Sequence, residues 1–115
     1  EMNGLDEKTT DRLVEGLLDV LGEKVIRLVL YGSVARGTDT EESDVDVALL
    51  LAKSMDKYEE DKLSKFTADM NLKYDRVFSI IDIEYRMFCK WETIVPFYRN
   101  VKKEGIILWE LEAEM

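Results

Sequence analysis

The stretch Leu30-Tyr-Gly-Ser-Val-Ala-Arg-Gly-Thr-Asp-Thr-Glu-Glu-Ser-Asp-Val-Asp-Val47 decides the fold of this 115-residue chain. It joins an apolar run to Gly32-Ser33, then a polar loop from Thr38 to Ser43, then Asp44-Val45-Asp46 opening a second apolar run. A glycine at a strand end lets backbone approach a ligand closely. Amides at a helix start favour an anion, and the Ser33 hydroxyl adds a donor. The same two residues also suit a plain strand-to-loop turn. No Gly-Lys-Ser/Thr follows, so this is neither a P-loop nor G-x-G-x-x-G. Period-two alternation puts Asp44 and Asp46 on one strand face, about 7 Å apart, with Val45 and Val47 turned into packing. Like charges so held raise each other's pKa unless a cation lies between them. Oxygen-only donors suit Mg²⁺. Eleven Asp in the chain make one Asp-x-Asp about what chance supplies, so the pair takes its meaning from its surroundings.

Outward from this stretch, helices and strands alternate. Asp6 to Leu21 reads as a helix with Leu13, Val14, Leu17, Leu18 and Leu21 on one face, capped by Asp6 and stopped at Gly22. Val25 to Tyr31 and Val45 to Leu51 read as buried strands. Val34 to Gly37 suits the first turn of a short helix. Ser54 is placed to cap a helix running to Lys73, with Leu63, Phe66, Met70 and Tyr58 inward. Arg76 to Ile83 reads as a third strand, and Tyr85 to Trp91 as a helical segment. Pro96 to Glu104 has Pro in its first turn, Lys102 and Lys103 in its last, and Gly105 just beyond. Ile106 to Trp109 suits a short closing strand. The order predicts an α/β (α+β) class, a small sheet with flanking helices, as a single domain over residues 1–115.

Composition narrows the chemistry. There is no histidine, so Ser-His-Asp, Cys-His and His-ligated metal sites are excluded. A lone Cys89 cannot form an intramolecular disulfide and fits a reducing cytoplasm. The longest apolar run, Val47 to Ala52, is six residues, far short of a membrane span, and no secretory leader is recognisable. With 16 basic and 25 acidic residues the net charge is −9, which argues against a long nucleic acid as main partner. Carboxylates, hydroxyls, amides and metal ions remain. A third carboxylate is available in Phe78 to Glu84: Asp82 lies between Ile81 and Ile83, where an unpaired charge is costly, and Glu84 shares its face.

Joined, these parts are more specific than any alone. Gly-Ser follows strand one, ten residues separate Ser33 from Asp44, Asp-x-Asp opens strand two, and a carboxylate lies on strand three. Gly32, Ser33, Arg36, Gly37, Ser43, Asp44 and Asp46 resemble the signature of the minimal nucleotidyltransferases of the polymerase β-like superfamily. The motif spans about residues 28 to 50. The resemblance implies a small mixed sheet with helices on one side. It implies transfer of a nucleoside monophosphate, AMP from ATP, to an acceptor hydroxyl. It assigns Asp44, Asp46 and Asp82 to two Mg²⁺ ions, with Glu84 as the alternative third carboxylate. Gly32, Ser33 and Arg36 are assigned to the phosphates, although Arg36 could instead pair with Asp39 or Glu42. Many stand-alone members resemble antitoxins that silence a HEPN-type toxin by adding AMP to a tyrosine. The acidic charge fits a basic protein partner. If neither Asp82 nor Glu84 faces the metals, the alternative is a catalytically weak nucleotide-binding module that masks its partner.

Other features read more plainly. Trp91, Phe97, Tyr98 and Trp109 are expected in packing. Met55, Met70 and Met87 are expected as core fillers and Cys89 as a small buried residue. Glu110 to Glu114 is expected to be solvated, and Glu1 ahead of Met2 to be an addition to the natural chain.

Overall fold

The computed structural model describes residues 5–112. Helix α1 (Glu7–Leu21) leads through a 3₁₀ turn into β1 (Val25–Tyr31), followed by the short α2 (Gly32–Arg36) and β2 (Val45–Leu51). Then come α3 (Lys57–Tyr74), β3 (Phe78–Glu84), α4 (Tyr85–Trp91), α5 (Pro96–Glu104) and β4 (Ile106–Glu110). The four strands form one mixed sheet in the order β3-β2-β1-β4. β1 pairs antiparallel with β2 and β4, and β2 pairs parallel with β3.

The expected elements form, with local shifts that have physical causes. Asp6 caps α1 by accepting from the Thr9 amide at 2.8 Å. The cap of α3 is Asp56 rather than Ser54. Asp56 accepts from the Glu59 amide at 2.8 Å while Glu59 accepts from the Asp56 amide at 3.0 Å. This reciprocal box satisfies two otherwise orphan donors, which Ser54 could not match. Tyr58, expected inward, is 69% exposed because that start point turns it to solvent. β3 begins at Phe78, two residues late, because Asp75 takes a left-handed conformation that ends α3 and Arg76 turns toward the loop before β2.

The sheet is covered on both faces, not on one. Leu13, Leu17 and Leu21 of α1 and Leu63 and Met70 of α3 pack with Val45, Val47, Leu49 and Phe78 on one face. Gly16 lets α3 approach, since a side chain there would overlap the Phe66 ring. On the other face Phe88 of α4 and Val101 of α5 pack with Val29, Ala48, Leu50 and Ile83. Alternate residues of each strand therefore enter different cores, which is why β2 is apolar almost throughout.

The aromatic set divides. Phe97 and Tyr98 lean on the α4–α5 core and Trp109 on the other. Met70 is buried and Met55 packs against the core, but Met87 is 42% exposed. Cys89 is exposed rather than buried, because α4 turns Phe88 inward and its neighbours outward. Glu110 is exposed yet ion-paired to Arg27 at 3.0 Å. Glu1 and Glu114 lie outside the described residues. No described helix is long and apolar enough to cross a membrane.

Candidate active site

Asp46 is the centre of the arrangement. In the sheet register it lies between Tyr31 of β1 and Ser79 of β3, all three on the face covered by α4 and α5. Asp46 is half-buried, and burial raises its carboxyl above the ordinary carboxylate range. The charge of Asp44 raises it further and the charge of Arg36 opposes the rise. Tyr31 responds in turn: burial, then the Asp46 charge, lifts its phenol. Asp44, just ahead of β2, is exposed.

Gly32 is required here twice over. It begins α2 with φ of +77°, a region that L side chains rarely adopt. A Cβ there would also overlap the Asp46 carboxylate. The first turn of α2 therefore lies directly against the carboxylate, with no space for a side chain between them. Tyr31, at the cap position, makes no side-chain hydrogen bond to the α2 amides. Helix-start amides without such a cap favour an anion. Ser33 follows immediately, half-buried.

The loop between α2 and β2 is tied down from outside the motif. Thr40 and Ser43 close it on itself: the Thr40 amide donates to Ser43 Oγ at 2.9 Å and the Ser43 amide to the Thr40 carbonyl at 3.1 Å. Arg76 donates to the Ser43 carbonyl at 3.3 Å and lies 3.7 Å from the Asp39 carboxylate. The Asp39 side chain is 5% exposed. The Val45 amide donates to the Val77 carbonyl at 2.8 Å, so the residues on both sides of Asp44 are fixed.

Arg36 faces the site as expected, but its ion pair is with Glu104 of α5 at 3.2 Å rather than with Asp39 or Glu42. Both side chains are well exposed, so the bond is weak and open to exchange. With the edge-to-face contact of Tyr31 and Phe97, centroids 5.4 Å apart, it closes the β1 side of Asp46 with α5.

The structure brings together Gly32, Ser33, Arg36, Asp44 and Asp46 but not Asp82. Asp82 pairs with Leu49, three residues beyond Asp46, and shares the face of Leu49 on the α1–α3 side. Glu84 pairs with Leu51 on that same wrong face. Asp82 is exposed there. Among the described residues no three carboxylate or thiolate groups are placed to hold one metal ion. Tyr31, Ser79 and Arg76 went unnoticed in the sequence. The first two are neighbours of Asp46 only through strand register, and Arg76 reads simply as a strand start.

Two adjacent carboxylates, one raised by burial and by the other's charge, suit a divalent cation that would relieve both effects. The uncapped amides beside them suit the phosphates that would supply its remaining oxygens. The end of β1 and the start of β2 thus set uncapped amides beside an acidic pair, an arrangement compatible with phosphoryl or nucleotidyl transfer.

The nucleotidyltransferase domain family model matches residues 11–108, and the chain belongs to that family. It is 33% identical to MJ0604 of Methanocaldococcus jannaschii, named a candidate protein adenylyltransferase, over 90% of this chain and 98% of that one. It is 42% identical to MJ0141 of the same organism, named likewise, over 54% of this chain. That match spans 63% of the length of MJ0141. Among solved structures it resembles a toxin–antitoxin complex with AMP-PNP, with a TM-score of 0.62 and 20% identity. The likeness covers 90% of this chain and 74% of that one. It also resembles the complex of a tri-AMPylated Shewanella oneidensis HEPN toxin with an MNT antitoxin. There the TM-score is 0.59 and identity 17%, covering 93% of this chain and 74% of that one. At these identities the structures establish the shared fold.

Proposed function

We propose that this protein moves AMP from ATP, with Mg²⁺, to a tyrosine hydroxyl of a cognate HEPN toxin, and so acts as a cytoplasmic antitoxin. The carrying observation is the contact of Gly32, at the start of α2, with the Asp46 carboxylate. In this reading it joins the element that would bind phosphate to the one that would bind metal, with no room for a side chain between them. The names of the relatives as protein adenylyltransferases support the reaction class. The AMP-PNP and tri-AMPylated complexes of fold neighbours support ATP and a toxin acceptor.

In this reading the α2 amides and Ser33 hold the β- and γ-phosphates, and Arg36 leaves Glu104 to add positive charge beside them. Asp44 and Asp46 would hold Mg²⁺, which when bound neutralises the triphosphate and lowers the pKa of the acceptor hydroxyl. The acceptor oxygen attacks the α-phosphorus in line, the bond to pyrophosphate breaks, and the hydroxyl proton passes to solvent. Asp82 and Glu84, on the far face, take no part in that proton's transfer. Tyr31 and Phe97 pack edge-to-face on the β1 side of Asp46.

The test is incubation of the protein with its HEPN partner and ATP labelled at the α-phosphate. Label enters the toxin with wild type and not with Asp44→Ala. An unlabelled toxin with wild type, or equal labelling by Asp44→Ala, overturns the reading. The missing third carboxylate favours one alternative, a nucleotide-binding module that masks its partner. A doubly substituted Asp44→Ala, Asp46→Ala protein that still silences the toxin in cells would establish that alternative.

A further inference from the structure

The strand that flanks Asp46 on the side away from β1 is β3, and the residue it sets beside Asp46 is Ser79. In parallel pairing, residues in register present their side chains on the same face, close enough to share a ligand. Beyond Ser79 the same face continues with Ile81 and Ile83, and neither can ligate an ion. The two acidic residues of β3 project to the other side of the sheet. We infer that Ser79 takes the β3 position of the reaction centre, so that this chain has two carboxylates and a neutral hydroxyl where the sequence suggested three carboxylates. The inference rests on the proposed reading of Asp44 and Asp46 as a Mg²⁺–nucleotide site.

A physical consequence follows. Cation affinity at oxygen sites rises with the number of charged ligands. A centre with two carboxylates, one of them exposed, holds Mg²⁺ weakly by itself and firmly only when a triphosphate adds its own oxygens. Metal and nucleotide therefore bind as one unit. Asp82 and Glu84 contribute nothing to either.

The experiment is a Mg²⁺ titration of the melting temperature, with and without a fixed concentration of AMP-PNP. It uses the wild-type chain and the variants Ser79→Asp, Asp82→Asn, Glu84→Gln, Asp44→Asn and Asp46→Asn. Wild type is expected to be stabilised by Mg²⁺ only when AMP-PNP is present. Asp82→Asn and Glu84→Gln keep the wild-type Mg²⁺ midpoint. Ser79→Asp completes the carboxylate set and lowers the midpoint about tenfold. Should Ser79→Asp fail to fold by circular dichroism, the two charge-removing variants on β3 still decide the matter. The inference is overturned if Asp82→Asn or Glu84→Gln raises the midpoint as Asp46→Asn does. It is equally overturned if folded Ser79→Asp leaves the midpoint at the wild-type value or above. If Asp44→Asn and Asp46→Asn both keep the full Mg²⁺–AMP-PNP shift, the underlying site reading has failed. If they lose it while the β3 variants misbehave, only the Ser79 inference has failed.

Discussion

β2 and β3 carry the same device to different ends. Each has a carboxylate, Asp46 or Asp82, set between β-branched residues that turn the other way. On β2 the flanking Val45 and Val47 enter the α1–α3 core, which sends Asp46 to the opposite face beside Gly32. On β3 the flanking Ile83 enters the α4–α5 core, which sends Asp82 to the α1–α3 side. The alternation is identical, but the core that anchors it differs. A carboxylate that opposes its apolar neighbours thus has a defined face only once the core receiving those neighbours is known.

The sharpest way to break this contrast is to neutralise each strand's acids in turn. Asp46→Asn or Asp44→Asn should lower AMP transfer by at least about 10²–10³-fold, the scale of losing a preorganised electrostatic group. Asp82→Asn and Glu84→Gln should stay within about twofold of wild type, since both lie across the sheet. Initial rates of label incorporation measure both. Comparable losses on the two strands would erase the distinction.

Arg76 comes next. Removing it leaves the Asp39 carboxylate, 5% exposed, without its cation and frees the Ser43 carbonyl. Arg76→Ala should destabilise the fold by about 2–4 kcal/mol in urea unfolding. Asp39→Asn combined with Arg76→Ala should recover part of that loss. Gly32→Ala tests the cradle itself. Its +77° φ and the clash with Asp46 should cost about 1–3 kcal/mol of stability and most of the transfer activity, because α2 must back away from the carboxylate.

The smallest effect sharpens the electrostatic side. Asp46 titrates above the ordinary 3.8 in the folded chain, so the fold is weakened at pH values above its folded pKa, where the buried group is charged. That penalty fades as pH falls through the folded value and is gone below 3.8. Asp46→Asn should therefore melt slightly higher than wild type at pH 7, by an amount that solvent screening keeps small. The gain should vanish below about pH 3.8. A destabilised Asp46→Asn at pH 7 would contradict the assignment of strain to that carboxylate.

Much of the molecule was legible because local chemistry determines it. Asp6 and Gly22 bound α1, Pro96 and Gly105 bound α5, and Gly32-Ser33 with Asp44 and Asp46 declare a strand–helix cradle and its acids. What escaped depends on pairing between distant segments. A sheet with helices on one side would turn the apolar residues of β2 and β3 the same way, and Asp82 would then join Asp46. Because α4 and α5 cover the second face, parity on β3 is set by the core that Ile83 shares with Phe88, Ala48 and Leu50, which no spacing within β3 reveals. Ser79 and Tyr31 were missed for the same reason, and so was Glu104 as the partner of Arg36. Asp56 displaced Ser54 as a cap because Glu59, three residues on, completes a box that only Asp56 can enter.

The most direct measurement is the intact mass of the proposed HEPN partner after incubation with Mg²⁺-ATP and wild type, Asp46→Asn or Asp82→Asn. Wild type and Asp82→Asn are predicted to add one or more AMP units, and Asp46→Asn none. No addition by wild type, or addition by Asp46→Asn, would contradict the account.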